Sequence, residues 1–239
     1  MAKRYKAKKF LAYFQSYTNT YTSCENMKNM YDEALGVEGV AGLAIGTRPD
    51  CIDKEKLDLI ESYTKNYLVW IEYGLQSAHD STLELINRGH DFNCFKRAVE
   101  ITKGRNIKIC AHVILGLPGE TRKMMLATAG ILADLGIDGI KIHLLYIVKG
   151  TKLETMWQKG LYRCMEQKDY VETVCDILEI LPENVVIQRI TGDPHIDELA
   201  APQWAADKNQ TFKLIQETLE NRDSRQGRRV AAGILPQQI

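Results

Sequence analysis

No two of the six cysteines in this 239-residue chain stand in a CxxC or CxxxC spacing. Cys24, Cys51, Cys94, Cys110, Cys164 and Cys175 are scattered. That excludes a disulfide framework and a zinc site, and no metal ligand set is assigned. No apolar run reaches the ~18 residues of a membrane span. Net charge is also missing, because 31 basic residues balance 31 acidic ones. A strongly basic nucleic-acid surface over the whole molecule is therefore not expected, although a local one remains open. No GxGxxG opens the first strand and there is no P-loop, which weakens a dinucleotide or NTPase reading. The basic start, Met1 to Lys9, lacks the apolar core of a signal peptide. The expectation is a cytoplasmic protein with no membrane partner.

What is present is an alternation of two periodicities. Phe10–Gln15, Val40–Ile45, Leu68–Tyr73, Ile107–Leu115 and Gly139–Leu145 are short apolar runs bounded by Gly, Pro, Asn or Asp, and they read as strands. Val185–Ile190 is a later candidate. Between them, Phe95, Ala98, Val99 and Thr102 share one helical face, as do Val171, Val174, Cys175 and Leu178, a run that Pro182 ends. Met125, Ala129 and Leu132 mark a helix stopped at Gly136. Leu57, Ile60 and Tyr63 mark one capped by Asp53. Phe212, Ile215 and Leu219 mark a last one. Strand–helix alternation over about 150 residues implies parallel βα units, an α/β class. Its strands are nearly continuous in apolar residues, as when both faces are covered. Beyond residue 180 the pattern changes: Arg189 to His195 and Ala201 to Trp204 read as ordered loops, and the tail from Arg222 reads as frayed.

Polar strings follow the strands, where parallel sheets and barrels place their sites. In Trp70-Ile-Glu-Tyr-Gly-Leu-Gln-Ser-Ala-His79, Gln76 can donate and accept, as ribose hydroxyls require. Arg88 follows about a helix later, and its guanidinium suits a carboxylate. Singly, these two are a structural Gln and a surface Arg; the combined string favours a site. In Ala111-His-Val-Ile-Leu-Gly-Leu-Pro-Gly-Glu120, Gly116, Gly119 and a Pro-fixed turn allow main chain to wrap a flat ring. There Glu120 reads first as a helix-end residue, and His112 as either a ligand contact or a satisfied core histidine. Arg48 and Asp50 either pair with each other or meet a substrate. His143 in Lys141-Ile-His-Leu-Leu-Tyr is structural or substrate-facing. Ala12 to Thr20 offers hydroxyls and amides to a site or to a turn. Glu72 and Asp138 stand at strand ends without forming a convincing acid pair, so no catalytic residue is named.

Taken in order, seven strings carry a resemblance. They are Tyr13-Phe-Gln with Thr18-Asn-Thr, Gly46-Thr-Arg-Pro-Asp-Cys51, Gly74-Leu-Gln-Ser, Asn87-Arg-Gly-His-Asp91, His112 to Thr121, Lys141-Ile-His-Leu-Leu and Arg189-Ile-Thr-Gly-Asp193. From about Phe10 to Gly227 the chain resembles the radical S-adenosylmethionine (SAM) superfamily. More narrowly it resembles the YhcC-like branch, related to the radical SAM domain of the elongator catalytic subunit. The resemblance implies a partial (βα)6 TIM-like barrel that lacks its first strand. Strands 2–6 of that core would occupy 1–180, with a C-terminal extension over 181–239.

It further implies SAM as cofactor, with a 4Fe-4S cluster that cleaves it to methionine and a 5′-deoxyadenosyl radical. Gln76 and His112 match positions near the ribose, Ser77 beside them is a further cofactor-binding candidate, and Arg88 matches the carboxylate position. Ile114, Gly116, Gly119 and Glu120 belong to the turn that supports adenine, and Leu145 lies near it. Gln15 stands where many members hold the methionine amine with a Glu, and Gly46 where many relatives carry a Glu. Thr47, Arg48, Asp50 and His143 are the substrate-side candidates. RNA is a candidate substrate, and an electron donor would be a partner. The cluster motif, CxxxCxxC, belongs before Phe10, where only nine residues stand. The expectation is thus an N-terminally truncated member with an exposed edge on its first strand. The alternative is an inactive SAM- or nucleotide-binding remnant without a cluster.

Overall fold

Eight segments take up β structure: β1 (Phe10–Phe14), β2 (Val40–Thr47), β3 (Leu68–Gln76), β4 (Lys108–Leu115), β5 (Gly139–Leu144), β6 (Ile147–Val148), β7 (Val186–Arg189) and β8 (Leu199–Ala201). They come from a computed structural model that describes residues 7–16 and 18–231. Tyr17, most of the basic start and the last part of the frayed-tail reading lie outside the described residues. The helices are α1 (Cys24–Leu35), α2 (Lys54–Tyr63), α3 (Asp80–Leu85), α4 (Phe92–Thr102), α5 (Arg122–Asp134), α6 (Lys152–Gln158), α7 (Gln167–Ile180), α8 (Lys208–Asn221) and α9 (Arg228–Ala231).

The chain divides into two compact units: Met1–Leu75 with His90–Ala111, and Gln76–Gly89 with His112–Ile239. In the first, neighbouring strands run in the order β1-β2-β3-β4; in the second, β4-β5-β7. The strands of this six-stranded sheet are parallel, as the α/β reading requires. Val186–Arg189, only a late candidate in the sequence, pairs with β5 as its sixth strand. A separate antiparallel pair joins β6 and β8. There, part of the segment read as loop is a short strand followed by a 3-10 turn, Gln203–Ala206.

In the first unit, one glycine sets how closely two strands approach. A Cβ built on Gly42 of β2 would sit 2.0 Å from the Leu68 carbonyl oxygen and 2.8 Å from the Leu11 side chain. The core beside it comprises Leu43, Ile45, Ile71 and Tyr73, all wholly buried. Tyr73 shares a 2.8 Å hydroxyl–hydroxyl bond with Thr102 of α4. Asp53 caps α2 as read from the sequence, accepting from the Lys56 amide. Helix α1 carries no such legible stripe. It buries only Met27 and Tyr31, one turn apart, on an otherwise polar helix.

In the second unit, α7 buries nearly its whole length, acids included. Asp176 accepts from Arg222 at 3.0 Å, from Arg229 at 3.0 Å, and from Arg122 at the start of α5. Arg229 also reaches Glu179 at 2.9 Å, and Arg222 bonds Glu172. Residues 222–229, read as frayed, are pinned to α7 by these pairs. Their polar composition hides the fact that their partners are buried acids.

Gly42→Ala is expected to lower unfolding free energy by about 3 kcal/mol or more, because backbone rather than a flexible tip blocks the new methyl. Urea denaturation checks this, and a loss below about 1 kcal/mol would show that β2 and β3 separate freely. Asp176→Asn is expected to cost about 2–3 kcal/mol, less than a fully buried pair because the arginines are partly solvated. It should also open residues 222–229 to proteolysis, and an unchanged digestion pattern would remove the anchoring role.

Candidate functional site

Strand β4 enters the second unit with its side chains sorted by alternation. Val113, Leu115 and Leu117 are buried, while His112, Ile114 and Gly116 between them are half-buried. Strand β5 continues the pattern, with His143 and Leu145 half-buried and Ile142 and Leu144 buried. A period of two puts each set on its own face. The His112 and His143 rings lie 5.5 Å apart, centre to centre, tilted by 41°. The Leu145 amide donates to the Leu115 carbonyl at 2.9 Å, tying the two strand ends together.

The packed face offers no room for a ligand. A cavity there, lined by Val113, Ile114, Leu115, Met125 and Ile177, with Gln76 and Glu120 among its walls, measures about 10 Å³. That is space for one water at most.

Past Leu115 the chain turns at Gly116, whose φ is +86°. A Cβ there would stand 3.1 Å from the Met165 side chain, so the position is shaped for glycine twice over. Its carbonyl accepts from the Tyr162 hydroxyl at 2.8 Å. Gly119 also has a positive φ, and the Glu120 amide closes the turn on the Leu117 carbonyl at 3.1 Å. Thr121, not Glu120, caps α5 by accepting from the Met124 amide.

Glu120 has a different task. It accepts from the Ser77 hydroxyl, which also receives the His79 amide at 3.1 Å. Burial pushes the Glu120 carboxyl above its ordinary value, against the opposing pull of the Ser77 and Thr82 hydroxyls. Ser77 follows Gln76, which ends β3 in a left-handed conformation with φ 76°. His79 Nε2 lies 2.9 Å from the Met124 carbonyl, which can only accept, so this nitrogen carries the hydrogen. Arg88 is half-buried between two left-handed residues, Asn87 and Gly89, and its amide donates to the Leu83 carbonyl at 2.9 Å. The strand-end residues Gln76, Ser77, Arg88, His112, Ile114, Gly116, Gly119, Glu120, His143 and Leu145 thus belong to one unit.

Gln15, Thr47, Arg48 and Asp50 belong to the other unit. Gln15 is exposed just past β1. The Asn19 amide donates to the carbonyls of Phe14 (2.8 Å) and Gly46 (3.1 Å), binding the ends of β1 and β2. Thr20 donates to the Cys51 carbonyl at 2.6 Å, so the Thr47 hydroxyl donates to Thr20. Arg48 forks onto both oxygens of Asp50 at 2.8 and 2.7 Å, and this contact holds the Asp50 carboxyl below the usual range. Of the two readings open in the sequence, the mutual pair is the contact that forms. An open groove of about 390 Å³ runs beside them, walled by Thr18, Tyr21 and Cys51.

One pair escaped the sequence reading. Glu72 is 2% exposed in the middle of β3, and Tyr13 donates to it at 2.9 Å. An acid inside an apolar strand is itself a signal, since a buried carboxylate demands partners.

Among the described residues, no group of His, Cys, Asp or Glu has the arrangement to hold a metal ion. Cys110 and Cys175 are buried and the other four cysteines half-buried, all as free thiols. An iron–sulfur cluster needs converging thiolates, so the described residues do not fit one. No helix among them is long and apolar enough to cross a membrane.

Parallel strands with a glycine turn and polar strand ends define an α/β protein built on the barrel plan. Residues 2–132 match the Radical SAM superfamily and residues 137–221 the Radical_SAM C-terminal domain. This chain belongs to the radical SAM superfamily. It is 46% identical to the uncharacterized protein MJ0486 of Methanocaldococcus jannaschii, over 93% of this chain and 70% of that one. It is 41% identical to YhcC of Escherichia coli, over 85% and 66%. A tRNA uridine(34) acetyltransferase of Methanocaldococcus infernus is 30% identical over 63% of this chain and 28% of its own. In fold, the chain is similar to the solved structure of Methanocaldococcus infernus Elp3, with TM-score 0.79 and 21% identity, covering 94% of this chain and 57% of that one.

Folding raises the value at which Glu120 titrates, so the stability it contributes is present at low pH and lost as pH rises through that raised value. Relative to the parent, Glu120→Gln should therefore gain melting temperature as pH climbs from about 4, then level off. Calorimetry across pH checks this, and parallel profiles would show that Glu120 titrates normally.

Proposed function

We propose that this chain binds SAM on the half-buried face of β4 and β5 and forms the SAM-holding part of a cytoplasmic radical SAM enzyme. The observation that carries the reading is the face itself. Two strands present His112, Ile114, His143 and Leu145 side by side, and the chain then turns at a glycine that has no room for a side chain. A flat purine fits such a surface, with Ile114 and Leu145 against the ring and the Gly116 main chain at its edge. Gln76, Ser77 and His112 are assigned to the ribose hydroxyls. Arg88 is assigned to the methionine carboxylate, which a guanidinium grips in a bidentate manner. Gly119 and Glu120 keep the turn in shape.

In this superfamily SAM is the source of a 5′-deoxyadenosyl radical once an electron reaches it. The 4Fe-4S cluster that delivers the electron does not fit the described residues, so no cleavage step is derived for this chain. Its own residues position SAM. In the first unit, the Arg48–Asp50 fork lines the proposed substrate-facing groove, and Thr47 is buried behind it against Thr20. RNA is the proposed substrate class, a reading supported by the tRNA named in the related acetyltransferase.

Isothermal titration of the chain with SAM tests this. The parent should bind, and Arg88→Ala should weaken binding by about tenfold or more, the scale of a lost charge-assisted bond. Absence of binding by a folded parent would sink the reading. Equal affinity in the variant would remove Arg88 from it.

A further inference from the structure

The string Arg189-Ile-Thr-Gly-Asp193 has no part in the SAM site. It follows β7, which runs parallel to β5 with Arg189 opposite Lys141. The loop therefore leaves the sheet at the same strand end as His143 and Leu145. It packs closely there: a Cβ on Gly192 would stand 3.1 Å from the Tyr146 ring and 3.5 Å from the Leu144 carbonyl. The Tyr170 hydroxyl fixes the loop from behind by donating to the Ile190 carbonyl at 2.9 Å.

Between this loop and the start of α8 lies an open pocket of about 280 Å³. Its walls carry Arg189, Thr191, Asp193, Lys208, Asn209 and Phe212. Two cations face one anion, and Lys208 bridges both Asp193 oxygens at 2.9 Å. The amides of Thr191, Gly192 and Asp193 donate to no backbone carbonyl among the described residues. Phe212, an aromatic on a surface helix, is 48% exposed. Local positive charge, successive loop amides and an uncovered ring call for an anion joined to a flat ring. The size stands at the lower end of small-ligand sites, about 300 Å³.

We infer that this pocket is a nucleotide subsite for an RNA substrate. Arg189, Lys208 and the loop amides receive a phosphate, and Phe212 stacks the attached base. Asp193 holds Lys208 in place and gives it up to the phosphate. The zero net charge of the chain is consistent with recognition concentrated here rather than spread over the surface. The inference rests on the SAM reading for the chemistry that follows, but the binding itself is measured without SAM.

The experiment is fluorescence anisotropy of a short labelled single-stranded RNA titrated with the full chain at several salt concentrations. Lys208→Gln is expected to weaken binding about tenfold and lower the salt slope by about one. Phe212→Ala should weaken it about tenfold with the slope unchanged. Asp193→Asn should tighten it by freeing Lys208. Opposite signs for Lys208→Gln and Asp193→Asn separate recognition from mere loop damage. Parent-like affinity in all three variants, or losses in both charge variants, would overturn the inference. Displacement of the RNA by nucleoside 5′-monophosphates at equal concentration would also overturn it, in favour of a free-nucleotide pocket. RNA binding with these variant effects but no SAM binding would uphold the subsite while the SAM reading fails.

Discussion

A strand sends successive side chains to opposite faces, and in β4 and β5 that rule separates a buried face from a partly exposed one. The buried set is Val113, Leu115, Ile142 and Leu144, and the cavity beside Val113 and Leu115 has space for no more than a water. The half-buried set, His112, Ile114, His143 and Leu145, keeps part of its surface uncovered, and it is the face proposed above for the cofactor. A one-residue slip in either strand would exchange the two roles. The Leu145–Leu115 backbone bond, the glycine turn at Gly116 and the Tyr162 bond to its carbonyl all hold that register at the point where it matters.

Polar groups at the strand ends are arranged so that one contact fixes the next. Ser77 is oriented by Glu120 and in turn receives the His79 amide, and His79 reaches across to the Met124 carbonyl of α5. The left-handed Gln76 starts this chain of contacts by lifting the backbone out of β3. Strain of about 1 kcal/mol at a non-glycine residue of this kind is offset only where the surroundings over-determine it.

Much of this architecture could be read from the residues, and the misses have physical causes. Strands β1 to β5 and helices α2, α4, α5, α7 and α8 follow from apolar periodicity, and Asp53 is legible as a cap because an acid precedes the first apolar repeat. Helix α1 was missed because two buried residues on a polar helix are too thin a stripe to detect. Residues 222–229 were misread because a polar segment looks the same whether its charges face water or buried acids. The turn at Gly116 was visible from its glycines. The Ser77–Glu120 contact was not, since it joins residues 43 apart in the chain. For Arg48 and Asp50 the sequence leaves a mutual pair and a substrate contact equally open, and the structure shows the pair.

Arg122 stands immediately after the turn that ends in Thr121, and its partner is Asp176, the same carboxylate that holds Arg222 and Arg229. The beginning of α5, the middle of α7 and the last described segment thus share one counter-ion. Arg222 and Arg229 also keep Glu172 and Glu179 as partners, so the shared carboxylate links the three segments within a wider charge network. Charge connectivity thus ties the helix that follows the glycine turn to residues about a hundred positions further along the chain.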